Sequence, residues 1–290
     1  MATRTWDPEG LEKLVKAGHL RPMRQSTLGD ADICLRRMQY NAAGENRKES
    51  EARIQGTAYH AALEVYYRAR LSFPTMLRPG DLTLQSMYDA ADTALRPEGP
   101  VEWTTSLDET TERVRGLVDR YIDGECWWGD AWEIQAVEQS FYAPLTAGWA
   151  VYGTWDLVVK SKLDGQVVIV DHKTAGKKWD RTKGAPRKGA QAPWYAHWRR
   201  ELFGLEELPG FAFDVMSIRD STFERRFIQI QESEVTAVVR RGVDTAKLLE
   251  FSDRCGFDLP TNTTSNLCSA SWCDSWNVCP SGARMDGAYQ

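Results

Sequence analysis

Hydrophobic side chains recur along this chain with two different periods, and the period changes near residue 134. Before that point the spacing is helical: the segment "IQGTAYHAALEVYYRARLSF" has apolar residues every three or four positions and no internal proline. The segment "TTERVRGLVDRYIDG" has a one-sided apolar stripe that ends at Gly124. Because such a pattern lets one face of a helix pack into a core, residues 26–70 and 82–125 are predicted to be mainly helical.

After residue 134 apolar and polar residues alternate, which is the period of a half-buried strand. Asp164 and Gly165 stand between two such runs, and this dipeptide is typical of a β-hairpin turn. A later helical pattern tolerates Pro193 because the proline falls near its first turn, and a final helix is predicted to be capped by Ser233. The predicted order is strands at 134–145, 149–162 and 166–174, a helix at 189–203, strands at 210–220 and 223–231, and a helix at 233–251.

These elements predict a mixed fold, α/β or α+β, with a central mixed β-sheet flanked by helices. A helical N-terminal part (26–130) precedes the sheet-containing core (134–250), and a cysteine-containing tail (256–290) follows it. Neither an internal repeat nor a low-complexity linker divides the sequence, so we expect one domain over residues 1–290.

The composition is that of an ordinary globular protein, with 42% hydrophobic and 27% charged residues. The first thirty residues contain no apolar segment typical of a signal peptide, and no apolar run reaches the roughly 18–20 residues of a membrane span. We therefore expect a cytoplasmic protein without a membrane partner. Six cysteines in that compartment are more typical of thiols or metal ligands than of disulfides.

Candidate chemistry lies where the strand at 166–174 ends. The run "VVIVDHKT" places Asp171 and Lys173 on one face and His172 on the other, because side chains alternate along a strand. Asp156, on the preceding strand of the hairpin, is expected close to Asp171. Two carboxylates and an ammonium on one face favour a cation between them, and Mg²⁺ or Mn²⁺ prefers carboxylate oxygens. A lysine beside such a metal can orient a bound water and stabilise charge on a phosphorane.

Two helical pairs add candidate ligands and contacts. His60 and Glu64 are one turn apart in "GTAYHAALE", so an imidazole nitrogen and a carboxylate can face one metal. Gln191 and Tyr195 have the same spacing in "QAPWYAHW". An amide and a phenol in that arrangement can hold a nucleic-acid strand by hydrogen bonding and stacking.

The charge of the chain is unevenly distributed. The net charge of −5 argues against a protein that is basic as a whole, but eleven Lys/Arg stand against three Asp between Lys160 and Arg200. Such a run is typical of a solvated loop and also of a surface that follows phosphates. We hypothesise the second role for Lys177, Lys178 and Lys183.

The order of these motifs resembles a known family. G-x-x-x-H-x-x-L-E at 56–64, G-x-x-D at 153–156, D-x-K-T at 171–174 and Q-x-x-x-Y at 191–195 resemble the RecB-like branch of the PD-(D/E)XK nuclease superfamily, over residues 26–280. The resemblance implies a restriction-endonuclease-like core.

The same resemblance implies roles for individual residues. Asp156 and Asp171, together with His60, look like metal ligands, and Glu64 resembles the first-helix acid that supports the metal shell. Lys173 looks like the catalytic lysine, so that the implied catalytic set is Glu64, Asp156, Asp171 and Lys173. Gln191 and Tyr195 resemble the motif that contacts DNA, and His172 occupies a position that is often aromatic or apolar, so we expect it to pack.

Four cysteines extend the resemblance. Cys34 precedes the first motif, and Cys268, Cys273 and Cys279 follow the core, as in the iron–sulfur nucleases of this branch. Those include the fourth CRISPR-associated protein family and its bacteriophage relatives. The resemblance implies a [4Fe–4S] cluster on the four thiolates. Relatives commonly have two residues where this sequence has four between Cys268 and Cys273, which leaves a zinc site as the alternative.

Together these features imply a metal-dependent DNA exonuclease that acts on single-stranded ends, and endonuclease activity is also possible. The 5′→3′ polarity is implied by the resemblance alone. The implied partners are DNA and recombination or CRISPR-adaptation proteins, in a bacterial, archaeal or phage-infected cell. One alternative is a nucleic-acid-binding adaptor subunit of a larger complex, which would be expected to have lost one of Asp156, Asp171 and Lys173. A restriction-type endonuclease is a further alternative, disfavoured because no separate recognition domain is evident.

Overall fold

The computed structural model describes residues 7–43, 49–75, 78–99, 101–176 and 189–264, together with 267–269, 273, 275–276 and 279–280 of the tail. The helices are α1 (Pro8–Lys16), α2 (Gln25–Ile33), α3 (Leu35–Ala42), α4 (Glu51–Ser72), α5 (Asp81–Ala94), α6 (Leu107–Asp123), α7 (Gln191–Phe203) and α8 (Glu232–Cys255). The strands are β1 (Arg21–Met23), β2 (Glu49–Ser50), β3 (Val101–Glu102), β4 (Trp132–Thr146), β5 (Trp149–Ser161), β6 (Val167–Ala175), β7 (Gly210–Ser217) and β8 (Phe223–Ile228).

The chain packs as two units that are each assembled from separate segments. The larger unit comprises Glu49–Ser140 and Thr154–Gln231, and the smaller unit comprises Met1–Lys48, Phe141–Gly153 and Glu232–Gln290. The long strands β4 and β5 contribute residues to both units. The expectation of one domain over residues 1–290, with its tail packed on the Cys34 segment, stays a prediction.

The sheet of the larger unit is built around the predicted hairpin. β5 and β6 are antiparallel, with Leu157 opposite Val170, and Gly165 in their turn has a φ of +76° that residues with a side chain rarely adopt. β6 pairs in parallel with β7, and α7 belongs to the crossover connection that a parallel pair requires. β8 is antiparallel to β7, and β4 pairs with β5. The predicted mixed sheet flanked by helices is confirmed.

Helix α4 carries the first motif, and its buried face fixes it in the core of the larger unit. Ser50 caps the helix by accepting a hydrogen bond from the Arg53 amide. Ile54, Ala58 and Ala62 recur at helical spacing and are almost completely buried, in the core cluster that also contains residues of α5, α6 and β6. None of the helices in the described part of the chain is long and apolar enough to cross a membrane.

The smaller unit contains α1, α2, α3 and α8. Its strand β1 pairs in parallel with the first residues of β5, Arg21 opposite Trp149. Helix α8 begins at Glu232, so the predicted cap residue Ser233 lies inside its first turn instead of before it. An acidic residue suits the first turn, because the amino terminus of a helix carries partial positive charge.

Candidate metal centre

The site forms where the pairing of β5 with β6 stops. Leu157 opposite Val170 is the last backbone pair at this end, and beyond it the Oδ2 of Asp156 accepts the His172 amide at 2.9 Å. Asp156 lies in the middle of β5, and its side chain accepts an amide that a backbone carbonyl would accept in a regular ladder.

Asp171 and Lys173 lie on one face of β6, as the strand period predicted. Lys173 Nζ is 2.6 Å from Asp171 Oδ2, and Gln191 Nε2 on α7 donates to Asp171 Oδ1 at 2.5 Å. Burial raises the pKa of Asp171 to about 6, although Lys173 pulls it down. Burial also lowers the pKa of Lys173, but the neighbouring carboxylates Asp171 and Asp156 outweigh it and raise that pKa overall. The pair is therefore a carboxylate and an ammonium at neutral pH.

The side chain of His60, on α4, lies beside Asp156 in the same site. Its Nε2 is 2.6 Å from the carbonyl oxygen of His172, which can only accept, so Nε2 carries the proton. The Nδ1 of the same ring lies 3.5 Å from Asp156 Oδ2 and 3.9 Å from Glu138 Oε1. This is how a protein fixes a histidine for metal binding through its other nitrogen.

Glu138 is the site residue that our sequence analysis missed. Ligand atoms of His60, Glu138 and Asp156 all lie within 4.8 Å of one another, and Asp171 lies beside this group. Burial, followed by the charges of Asp156 and Glu64, raises the pKa of Glu138 to about 8. Glu138 has a φ of +43° inside β4, so the strand is locally distorted at the site. Two adjacent apolar residues, Ala136 and Val137, interrupt the alternation just before it and are the sequence signal of that distortion.

Glu64 lies near the group but is held differently. It lines the same cleft of about 500 Å³ as His60 and Lys173, and its Oε1 is 2.6 Å from Arg68 Nε on the next turn of α4. A Cβ on Gly56 would lie 3.2 Å from Thr174 Oγ1, so the glycine of the first motif lets α4 approach β6 closely.

The predicted DNA-contacting residues divide into two groups. Gln191 holds Asp171, and Tyr195 one turn later is hydrogen-bonded to Gln191 and has a pKa that burial raises strongly. Gln191 thus supports the acidic site directly, and Tyr195 supports it through Gln191. Lys177, Lys178 and Lys183 lie outside the described residues.

His172 packs as expected. It is 2% exposed, and its ring stacks on Tyr67 with the ring centres 5.8 Å apart. Burial lowers its pKa well below the usual range, so the ring is neutral.

The four cysteines singled out from the sequence line one cavity in the smaller unit, together with Trp276. Burial raises the pKa of Cys268 and Cys273, and the neighbouring cysteines contribute in the same direction. Cys126 and Cys255 do not line this cavity.

A mixed sheet that brings an aspartate, a D-x-K pair and a helix-borne histidine together defines a class of protein, the nucleases with a restriction-endonuclease-like core. The chain belongs to the PD-(D/E)XK nuclease superfamily, whose model matches residues 25–280.

A solved structure shares the fold. A candidate exonuclease from Eubacterium rectale has a similar structure, with a TM-score of 0.52 and 12% identity over 91% of this chain and 92% of that one. The structure of SSO0001 matches with a TM-score of 0.35 and 15% identity over 86% of this chain and 95% of that one. No curated protein sequence matches this chain.

Proposed function

We propose that this chain is an Mg²⁺- or Mn²⁺-dependent deoxyribonuclease that hydrolyses phosphodiester bonds from the ends of single-stranded DNA. The observation that carries the proposal is the convergence of His60, Glu138 and Asp156 beside the Asp171–Lys173 ion pair.

The donor set fits a hard divalent cation. Two carboxylates and one imidazole nitrogen supply oxygen and nitrogen ligands without sulfur, which suits Mg²⁺ or Mn²⁺. When bound, such a cation acts as a Lewis acid and lowers the pKa of a coordinated water. The neighbouring cleft of about 500 Å³, lined by His60, Glu64 and Lys173 among others, is the proposed entry for a single strand of nucleic acid.

The side chains around the donor set have separate tasks in this proposal. Lys173 keeps an ammonium beside the reacting phosphate, where it offsets negative charge that develops during hydrolysis. Gln191 fixes the second oxygen of Asp171 and so keeps the carboxylate from rotating. Glu64 adds negative charge at the edge of the cleft, and Arg68 holds it there. The 5′→3′ polarity rests on the family resemblance, and Tyr195 and Gln191 are the proposed DNA-side residues.

Digestion of end-labelled DNA tests the function. Single strands and duplexes labelled at the 5′ or the 3′ end are incubated with Mg²⁺, Mn²⁺ or EDTA, and the size of the first labelled product gives polarity. Asp171→Asn should abolish cleavage while the circular dichroism spectrum and DNA binding are retained. Asp130→Asn, which changes an exposed acid of the same unit, is the matched control and should cleave like wild type. Undiminished Mn²⁺-dependent cleavage by Asp171→Asn would contradict the assignment.

We further propose that Cys34, Cys268, Cys273 and Cys279 bind a [4Fe–4S] cluster with a structural role. Their common cavity supports this. The choice of an iron–sulfur cluster over zinc rests on the family resemblance.

A further inference from the structure

Two tyrosines form a stacked pair on the hairpin of β4 and β5, in the part of it that belongs to the smaller unit. The ring centres of Tyr142 and Tyr152 are 4.9 Å apart, and the ring planes are inclined by 29°. Their neighbours along the strands, Phe141, Ala143 and Val151, are buried. Because side chains alternate along a strand, both tyrosines point to the opposite face, where they are partly exposed.

Two cations lie beside this pair. The guanidinium carbon of Arg24 is 4.7 Å from the centre of the Tyr152 ring, within the range of a cation–π contact. Burial and the neighbouring Tyr152 raise the pKa of Tyr142, whereas the charges of Lys16 and Arg24 act in the opposite direction. Glu12 offsets Lys16 through an ion pair at 2.7 Å. Among the described residues no carboxylate pairs with Arg24, so its charge is left uncompensated.

The surroundings of Arg24 favour an anion. The residue is exposed and stands directly before α2, and its side chain does not cap that helix. The partial positive charge at the amino terminus of a helix adds to the charge of the guanidinium. Aromatic rings beside a free cation are the means by which proteins bind the bases and phosphates of single-stranded nucleic acid without sequence preference. In a duplex the faces of the bases cover one another, so such a surface selects single strands.

We propose that Tyr142, Tyr152 and Arg24 form a stacking surface for the bases of single-stranded DNA, with Arg24 also contacting a phosphate. The inference rests on the proposed nuclease function and deepens it, because it supplies a physical reason for a preference for single strands. Tyr152 and Asp156 both belong to β5 and are four residues apart, the even separation of two side chains on one face of a strand.

DNA binding without cleavage tests the surface. Fluorescence anisotropy of the full-length chain is measured in EDTA with a labelled oligothymidylate and with an abasic oligonucleotide of the same length, which keeps the phosphates but offers no base to stack. Tyr152→Leu should weaken binding of the oligothymidylate by at least about 5-fold, the lower end of the loss for one base–aromatic stack. Its affinity for the abasic oligonucleotide should change by less than about 2-fold. Tyr152→Phe keeps the ring and should bind both like wild type.

The cation and the control have different expected results. Arg24→Gln should weaken binding of both oligonucleotides and reduce the slope of log K against log [salt] by about 0.7, as for one phosphate contact to a single strand. Phe251→Leu is the matched control, because it removes one ring of another exposed aromatic pair of the smaller unit, 5.5 Å from Phe257. It should leave both affinities unchanged. The thermal midpoint of each variant checks its folding.

Photocross-linking of the wild-type protein gives a readout that does not depend on the folding of a variant. An oligonucleotide with 5-iodouracil in place of thymine is irradiated in the complex, because the iodinated base couples to aromatic side chains that it contacts. Peptide mapping should find the linkage at Tyr142 or Tyr152.

The outcomes separate the two proposals. If wild type binds and cleaves single strands but Tyr152→Leu binds the oligothymidylate equally well, or the cross-links map elsewhere, the stacking surface is overturned and the nuclease function stands. Equal weakening of both oligonucleotides by Tyr152→Leu would show that the pair only stabilises the hairpin, which also overturns the surface. Binding through these residues without cleavage by either metal would leave the surface and overturn the nuclease function. A wild-type protein that neither binds nor cleaves single strands would overturn both.

Discussion

Glu51 anchors the helix that carries His60, and its replacement by glutamine should destabilise the protein. It is the first residue of α4 and is 6% exposed. Its carboxylate accepts from the Thr104 amide at 2.8 Å, the Thr105 amide at 3.1 Å, the Thr105 hydroxyl at 2.7 Å and Gln55 Nε2 at 2.8 Å. Arg113 Nη1 adds an ion pair at 3.1 Å. A buried anion with this many donors is stabilised in its charged form.

The magnitude follows from the pKa of Glu51. Burial raises that pKa, but the hydrogen bonds from Thr104 and Thr105 outweigh burial and bring it from its ordinary value of 4.5 down to about 2. A fall of this size corresponds to about 3 kcal/mol in favour of the ionised folded state, at about 1.4 kcal/mol for each pH unit. Glutamine keeps the shape of the side chain but not its charge. Its NH₂ group would face the N–H and O–H donors of Thr104 and Thr105, and two donors cannot form a hydrogen bond with each other. Glu51→Gln should therefore lower the free energy of unfolding at pH 7 by about 2–4 kcal/mol.

The pH dependence has a definite sign. Because the folded-state pKa lies below the unfolded-state value of 4.5, the stabilisation by Glu51 is complete above pH 4.5 and is lost as the pH falls toward 2. Wild type should lose this contribution across that window, whereas Glu51→Gln has no carboxylate to titrate. The difference in stability between the two proteins should therefore narrow as the solution is acidified.

Urea titrations followed by circular dichroism at pH 7, 4 and 3 measure the effect. Glu109→Gln is the matched control: Glu109 is also bonded to Arg113, at 3.0 Å, but its side chain is 61% exposed. An exposed pair of this kind contributes about 0–1 kcal/mol. Equal losses in the two variants, or a Glu51→Gln difference that stays constant from pH 7 to pH 3, would refute the reasoning.

Three further predictions concern the basic run, the cysteines and the buried histidine. Neutralising Lys177, Lys178 and Lys183 together should weaken DNA binding and flatten its salt dependence, and a slope of log K against log [salt] equal to that of wild type would show a solvated loop instead. Anaerobically purified protein should be brown, with broad absorbance near roughly 400 nm, and Cys34→Ala should lose the colour as completely as Cys279→Ala; colourless protein with one bound zinc would favour the zinc alternative. His172→Phe should raise the free energy of unfolding by about 1 kcal/mol, because both ring nitrogens are buried without a hydrogen-bond partner; a lower thermal midpoint would contradict this.

Local periodicity was sufficient to find the sheet and part of the site. Alternation placed Asp171 and Lys173 on one face of β6, and the 2.6 Å ion pair follows from that spacing. Helix α1, by contrast, was not predicted, because it lies before residue 26, where the expected helical region begins. The sequence nevertheless contains the signals of a helix start. Asp7 accepts a hydrogen bond from the Gly10 amide, and Pro8 occupies the first turn. The three-residue strand β1 and the two-residue strands β2 and β3 are too short for any period to be visible.

Glu138 was missed because a strict period of two was assumed across the whole of β4. The apolar positions of that strand are even-numbered up to Ala136, the buried positions are odd-numbered from Val137 onward, and Ala136 and Val137 are both buried. The parity changes between Ala136 and Val137, and the φ of +43° at Glu138 directly follows that change. In a strand with one buried face, a change of parity thus indicates a local distortion. An acidic residue next to such a change is a candidate site residue. The distortion lets its side chain point away from the face of the sheet that strict alternation would predict.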